Sequence, residues 1–277
     1  MPILTLTSDI GTQDYLAAAI KGVALKKNRD FIVCDITHQL SPFNYPQAAY
    51  VCKNTINNFP EGTFHIILVN LFDTKPQHIV IAKHKGSYIG CADNGLLPMI
   101  LEEMPEQVCC VALDKFLTKN TLHIAEAFIN IFQEIINGKD MMEFNDEEAD
   151  LQVKNPLRPL TGSNYIEGQI IFIDNFENVI VNITRDEFEQ QRSGRKFSIV
   201  FKRDERIDRI SESYADVPAG EKLALFNSAN YLEIAINKGN AASLFGLTGY
   251  SEVQNSIQKA NNSNFQLFYQ TVKVFFD

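Results

Sequence analysis

Short apolar runs separated by helix-length amphipathic stretches fill the first half of this chain, and that alternation restricts the fold more than any other feature. In order they are ILTLTS, DYLAAAIKGVAL, FIVCDI, QAAYVCKNTINNF, FHIILVNLF and HIVIAKHKGSYIGCA. Strands alternating with helices predict an α/β layer built on a mostly parallel sheet. The first run, Ile3 to Thr7, reads as a strand covered on both faces, and it stops at the polar turn Ser8-Asp9-Ile10-Gly11. Open sheets of this kind bind ligands at the carboxyl ends of their strands, which singles out Asp9, the stretch 37–43 and the stretch 70–73. The segment TLHIAEAFINIFQEIIN, Thr121 to Asn137, has apolar residues at helical spacing, with Thr121 expected as its cap.

Between residues 138 and 164 the sequence turns acidic and then proline-bearing, with little periodicity, as a domain boundary does. Runs rich in Ile, Val and Phe follow: GQIIFIDNFENVIVNI, KFSIVF and KLALFNSANYLEIAIN. The expected organisation is an α/β domain over 1–150, a linker over 151–164 and a smaller, mostly β domain over 165–277. The acidic stretch Glu143 to Asp150 reads as a solvated loop.

A net charge of -9 and a pI near 5.1 argue against a general nucleic-acid surface, which needs clustered Lys and Arg. Five cysteines, Cys34, Cys52, Cys91, Cys109 and Cys110, are odd in number and form no CxxC pair, so a reduced, cytoplasmic chain is expected. The start MPILTLTSDIG has no export-signal pattern, and no apolar stretch reaches the roughly 18 residues of a membrane span, so no membrane association is expected.

Several common catalytic signatures are missing: GxGxxG after the first strand, GxxxxGK[ST], HExxH and GxSxG. His38, His65, His78, His84 and His123 show no metal-ligand spacing, so no metal and no cofactor are expected. What remains is a series of polar clusters at strand ends. Five segments, TSDIGTQDYLAAAIKGV, VCDITHQLSPFNYPQAAY, GSYIGCADNGLL, FIDNFENVIVNI and LALFNSANYLEIAINKGNAA, resemble in content and order the S-adenosylmethionine (SAM) hydroxide adenosyltransferases, hydrolase relatives of fluorinase and chlorinase.

That resemblance implies an amino-terminal α/β domain, a carboxy-terminal β-barrel, and a homotrimer whose sites lie between one subunit's first domain and its neighbour's second. It implies SAM as the substrate, attacked by water at ribose C5′ to release adenosine and methionine. Carried over position by position, Asp9 would take the ribose hydroxyls, as a carboxylate suits two donors. Read alone, Asp9 could equally cap the following helix. Phe43 stands where the related halogenases place an aromatic beside adenosine, although a phenylalanine is more often core. Asp174, Phe176 and Asn178 match a D-x-F-G-N element that would hold the ammonium and adenine, with Glu177 in place of the glycine. A plain Asn/Asp-rich hairpin turn would look the same. Ser228 and Asn237 match contacts to the methionine carboxylate and the adenine edge.

The nucleophile side departs from the pattern. Hydrolases of this kind carry a D-P-G-V-G-T-x-R-R loop whose Asp and first Arg join a histidine from an F-H-G-R-D element. Here the ungapped equivalents are Asn70, Gln77 and, for the second arginine, His78, while the histidine corresponds to His123. Asn and Gln can order a water but cannot take its proton near neutral pH, whereas an imidazole can. Asp73 and Glu126 are the nearby carboxylates in sequence. Three readings follow: slow SAM hydrolysis with His123, Asn70 and Gln77 ordering the water; a SAM- or adenosine-binding protein without catalysis; and SAM-dependent halide transfer. The third is disfavoured because the hydroxyl-rich loop of fluorinase is lacking at 70–74.

Overall fold

A computed structural model describes residues 1–113, 119–146, 149, 151–201, 205–247 and 270–277, so part of the acidic stretch 143–150 lies outside the described residues. The chain divides into two compact units, Met1–Pro156 and Leu157–Asp277.

The first unit is a six-stranded sheet in the order β2-β1-β3-β5-β4-β6. Its strands are β1 (Ile3–Ser8), β2 (Ile32–Thr37), β3 (Phe64–Leu68), β4 (His78–His84), β5 (Ser87–Ala92) and β6 (Gln107–Ala112). The pairs β1–β2, β1–β3 and β3–β5 are parallel, whereas β4 runs antiparallel to both β5 and β6. The sheet is therefore mixed, and the run HIVIAKHKGSYIGCA is a hairpin rather than one strand. It reverses at Lys85 and Gly86, both left-handed (φ 48° and 71°), between the paired residues His84 and Ser87. A two-residue loop with φ positive at both positions matches the twist of the strands it joins.

Period-two alternation distributes the apolar side chains to two cores. Phe64, Ile66 and Leu68 of β3, with Ile79 and Ile81 of β4, meet α1 (Leu16–Lys27) and α4 (Thr121–Ile136). Ile67, Val80, Ala82 and Ile89 meet α2 (Tyr45–Asn58) and α3 (Leu96–Leu101) on the other face. Helix α4 approaches closely because β5 carries Gly90, where a Cβ would stand 2.5 Å from the Phe128 ring. The cap of α4 is Asn120 rather than Thr121: its side chain accepts the His123 amide at 2.9 Å, leaving Thr121 as the first helical residue. All five cysteines are unpaired thiols, and burial pushes Cys91 up to about 12 and Cys52 well above the usual thiol range.

The second unit is a nearly closed, antiparallel, barrel-like sheet in the order β11-β10-β14-β8-β9-β13-β12, with the short β7 (Leu160–Thr161) beside β8. The strands are β8 (Tyr165–Ile173), β9 (Val179–Thr184), β10 (Phe197–Phe201), β11 (Glu205–Ile207), β12 (Lys222–Phe226), β13 (Tyr231–Ile236) and β14 (Thr271–Phe276). A polar helix, α5 (Arg185–Arg192), starts at a reciprocal Thr184–Glu187 capping box and contributes one buried residue, Phe188. That ring meets Phe197, Phe226 and Phe276 edge-to-face at 5.0, 5.4 and 5.7 Å, which plugs the interior of the sheet. Among the described residues no helix is long and apolar enough to cross a membrane.

Candidate functional site

In the first unit, β1, β3 and β5 end side by side, and antiparallel β4 begins at that same end. The connection from Asn70 to Gln77 therefore lies wholly over the carboxyl ends of the parallel strands. Ser8, the last residue of β1, is held by His38 from the connection after β2: Ser8 Oγ lies 2.7 Å from His38 Nδ1, and the Gly11 amide donates to the His38 carbonyl at 2.6 Å. His38 Nε2 is 3.2 Å from Asp35, which also pairs with Lys21 at 2.7 Å. These contacts fix the SDIG turn and with it Asp9.

Asp9 Oδ2 accepts the Asn70 amide at 2.7 Å. Burial raises the carboxyl of Asp9 above the usual carboxylate range, with the Asn70 and Asp9 backbone N–H groups acting in the opposite direction. Asn70 is left-handed at φ 48°, a conformation asparagine tolerates better than most residues. Its side-chain amide donates to Tyr45 Oη at 2.9 Å and to Asp73 Oδ1 at 3.1 Å, and its carbonyl accepts from Asn94 at 3.2 Å. An aspartate at 70 would set its charge against Asp73, whereas the amide turns that neighbour into an acceptor. Lys154 completes this side, its ammonium 3.7 Å from Asp73 Oδ2 and 4.1 Å from the Tyr45 ring centre, with its stem laid against Gly95.

Beside this network is a cavity of about 260 Å³ lined by residues that include Asn70, Asp73, Lys75, Gln77, His78 and Asp93. His78 Nε2 lies 2.8 Å from Asp93 Oδ2, and the other oxygen of Asp93, Oδ1, accepts the Gln152 amide at 2.8 Å. The Asp93 side chain is only 5% exposed. Of the residues expected on the nucleophile side, Asn70 and Gln77 line the cavity. His123 is exposed on α4, and the helix presents the next residue, Ile124, to the cavity. Glu126 is also exposed on α4; Asp73 is exposed too, but lines the cavity. Phe43 is 73% exposed in the connection preceding α2.

In the second unit the Asp174–Asn178 segment joins β8 to β9. Asp174 Oδ1 accepts the Phe176 and Asn178 amides at 2.9 and 2.8 Å, and Oδ2 accepts the Asn178 side chain at 3.1 Å. The carboxylate thus shapes its own turn and holds Phe176, 74% exposed, outward. Glu177 keeps the left-handed conformation a glycine would favour, at φ 62°. Ser228 is exposed in the β12–β13 hairpin, whose turn is bound by Asn227 through the Ala229 and Tyr231 amides at 3.0 and 3.1 Å. Asn237 is tied to the connection before β12, donating to the Val217 carbonyl at 2.7 Å.

Sequence reasoning missed Glu233, a buried carboxyl in β13 that receives the Tyr214 hydroxyl at 2.7 Å. Burial raises it, and nearby Asp174 adds to that effect, while hydrogen bonds from Tyr214, Asn227 and Asn178 oppose it. Glu233 thereby links the Asp174–Asn178 turn to the hairpin bearing Ser228. The available signal was an acid inside the apolar strand YLEIAI. Among the described residues no group of three or more His, Cys, Asp or Glu is arranged to hold a metal.

Comparisons with known proteins agree across both units. An (R)-S-adenosyl-L-methionine hydrolase from Methanocaldococcus jannaschii is 27% identical over 266 residues, covering 92% of this chain and 95% of the relative. A protein of the same name from Thermus thermophilus is 25% identical, covering 87% and 94%. A fluorinase from Actinopolyspora mzabensis is 23% identical, covering 89% and 94%. The fold is shared with an uncharacterised conserved protein of Thermotoga maritima, whose crystal structure gives a TM-score of 0.79 at 22% identity over 99% of each chain. Residues 4–145 match the SAM hydroxide adenosyltransferase N-terminal domain and residues 168–254 the C-terminal domain, so this chain belongs to the SAM hydroxide adenosyltransferase family.

Proposed function

We propose that this chain hydrolyses SAM to adenosine and L-methionine by in-line attack of water at ribose C5′. The observation that carries this reading is the cavity at the strand ends, lined by Asn70 and Gln77, with Asn70 in turn bound to Asp9 through its backbone amide. The full-length relatives named as SAM hydrolases support it. The sulfonium makes methionine a good leaving group, so the protein must chiefly position the ribose and one water. Asp9 takes the ribose hydroxyls, and Phe43 flanks the adenosine. Amides at 70 and 77 order the water without ionising it. The remaining ligand contacts come from Asp174, Phe176, Asn178, Ser228 and Asn237. At about 260 Å³ the cavity falls just short of the roughly 300–1,000 Å³ of small-molecule pockets. It suits the reacting end of the ligand, the rest being held by the second domain of a neighbouring subunit in a homotrimer. No cofactor takes part. The acceptor of the water's proton is a histidine, and His123 is the one the family resemblance supplies.

The test is incubation of the purified chain with SAM, with and without chloride, followed by chromatography. Equal amounts of adenosine and methionine in both buffers are expected. Calorimetric binding of SAM without product would make the chain a ligand-holding relative, and 5′-chloroadenosine would make it a halide transferase.

A further inference from the structure

Resting on the hydrolytic reading, we infer that the base accepting the water's proton is His78, oriented by Asp93, and not His123. Three observations converge on this pair. His78 lines the cavity together with both water-ordering amides, whereas α4 contributes Ile124 to that wall and leaves His123 exposed. His78 Nε2 lies 2.8 Å from Asp93 Oδ2, and that carboxylate is 5% exposed with its other oxygen fixed by the Gln152 amide. The β4–β5 hairpin makes this geometry rigid, because Ile79 pairs with Ala92 and so sets residues 78 and 93 side by side at the site end.

A carboxylate on one ring nitrogen fixes the imidazole's tautomer and orientation and stabilises the cation that forms, the role an acid plays behind a catalytic histidine. With the proton on Nε2 directed to Asp93, Nδ1 is the basic position. As the water oxygen bonds to C5′, the C5′–S bond breaks and its electron pair stays on sulfur as the methionine thioether. One water proton passes to His78 Nδ1 and the other remains as the 5′-hydroxyl hydrogen. The imidazolium then releases its proton to solvent, which completes the balance of SAM and water to adenosine, methionine and a proton. Among the described residues, the charged groups that line the cavity with His78 are Asp93, then Asp73 and Lys75 from the loop, with Lys154 held on Asp73. From β6 the residue opposite is Ala112, and the neighbouring Leu113 carbonyl binds Lys119.

The experiment compares wild type with His78→Gln, His78→Ala, Asp93→Asn and His123→Ala, measuring kcat, KM, the pH–rate profile and calorimetric SAM affinity. General-base removal costs about 100- to 10,000-fold. His78→Gln is therefore expected to lose at least about 100-fold in kcat with SAM affinity within a few-fold of wild type, together with the fall in rate at acidic pH. Added imidazole is expected to restore turnover to His78→Ala, a response that a purely structural role would not produce. Wild-type rate and acidic limb in His78→Gln would overturn the inference alone. So would transfer of the lost limb and the imidazole rescue to His123→Ala. A wild-type chain that binds SAM and forms no adenosine would overturn the hydrolytic reading, and this inference with it.

Discussion

At the scale of single residues, the carboxyl of Asp9 sits where burial disfavours its charge. Asp9 binds its proton more tightly in the fold than in the unfolded chain, because burial is the largest influence on it. Its contribution to stability is present below the unfolded pKa and lost as pH rises through the raised folded one, so at neutral pH ionised Asp9 destabilises the ligand-free fold. Asp9→Asn keeps an oxygen for the Asn70 amide, and thermal unfolding at pH 7 is expected to show equal or greater stability. The same change removes a charged acceptor, and hydrogen bonds to charged groups contribute about 1.5–3 kcal/mol, so calorimetry should find SAM bound roughly ten- to a hundredfold more weakly. A variant less stable and equally tight would remove Asp9 from the ribose site. Glu177 offers the opposite trade, since it occupies a left-handed position at φ 62°. Glu177→Gly is expected to raise the unfolding free energy by about 1 kcal/mol, measured by denaturant titration, because an L side chain costs roughly 1–2 kcal/mol there and glycine's chain entropy returns part of it. The sequence exposed this residue directly, as a glutamate in a motif that otherwise carries glycine.

At the scale of elements, the parallel part of the first sheet was legible because β1, β3 and β5 are buried on both faces and helices separate β1, β2 and β3 along the chain. The β4–β5 hairpin was not. Its turn is Lys85-Gly86 rather than the Asn-Gly or Asp-Gly that announces such a loop, and the apolar pattern runs through it unbroken. Missing the hairpin hid the site, since the His78–Asp93 pair exists only when β4 reverses and returns residue 78 to the end where β5 stops. The cap of α4 was misread by one residue because Asn120 and Thr121 are both good caps, and only the geometry chooses between them. Inside the same sheet, Thr5 of β1 and His65 of β3 are register partners whose side chains meet at 2.8 Å. Burial depresses His65 from its ordinary value to about 4, so the fold holds it neutral while the unfolded chain takes up a proton first as pH falls. The stability it contributes is complete above about pH 6.5 and lost toward pH 4, at most about 3 kcal/mol at 1.36 kcal/mol per pKa unit. Denaturant unfolding measured stepwise from pH 7 to pH 4.5 should show a shallower decline in His65→Gln; an unchanged slope would assign the acid sensitivity elsewhere.

At the scale of the molecule, each unit carries its own core, and the residues matched to SAM contacts are divided between them. The first holds Asp9 and Phe43, with Asn70, Gln77 and His78 lining a cavity of about 260 Å³, and the second holds the Asp174–Asn178 turn with buried Glu233 behind it. Such a division was readable in outline from the change of composition after residue 138, since that change follows from a switch between helical and strand periodicity. Pattern reading within one sequence does not report which copy of the second unit would face which first unit, because the proposed shared site would join residues of separate chains. The proposed trimer has a thermodynamic consequence. If one subunit supplies the ribose end and its neighbour the adenine and methionine end, ligand binding and association are linked, and each strengthens the other by the same free energy. SAM affinity should then fall as the protein is diluted through its dissociation range, and SAM should shift sedimentation toward the larger species at fixed protein concentration. Analytical ultracentrifugation with and without SAM, paired with fluorescence-detected binding across the same dilution series, measures both halves of that linkage. A demonstrated monomer that binds SAM as tightly as the oligomer would place all the affinity within one chain and end the shared-site proposal.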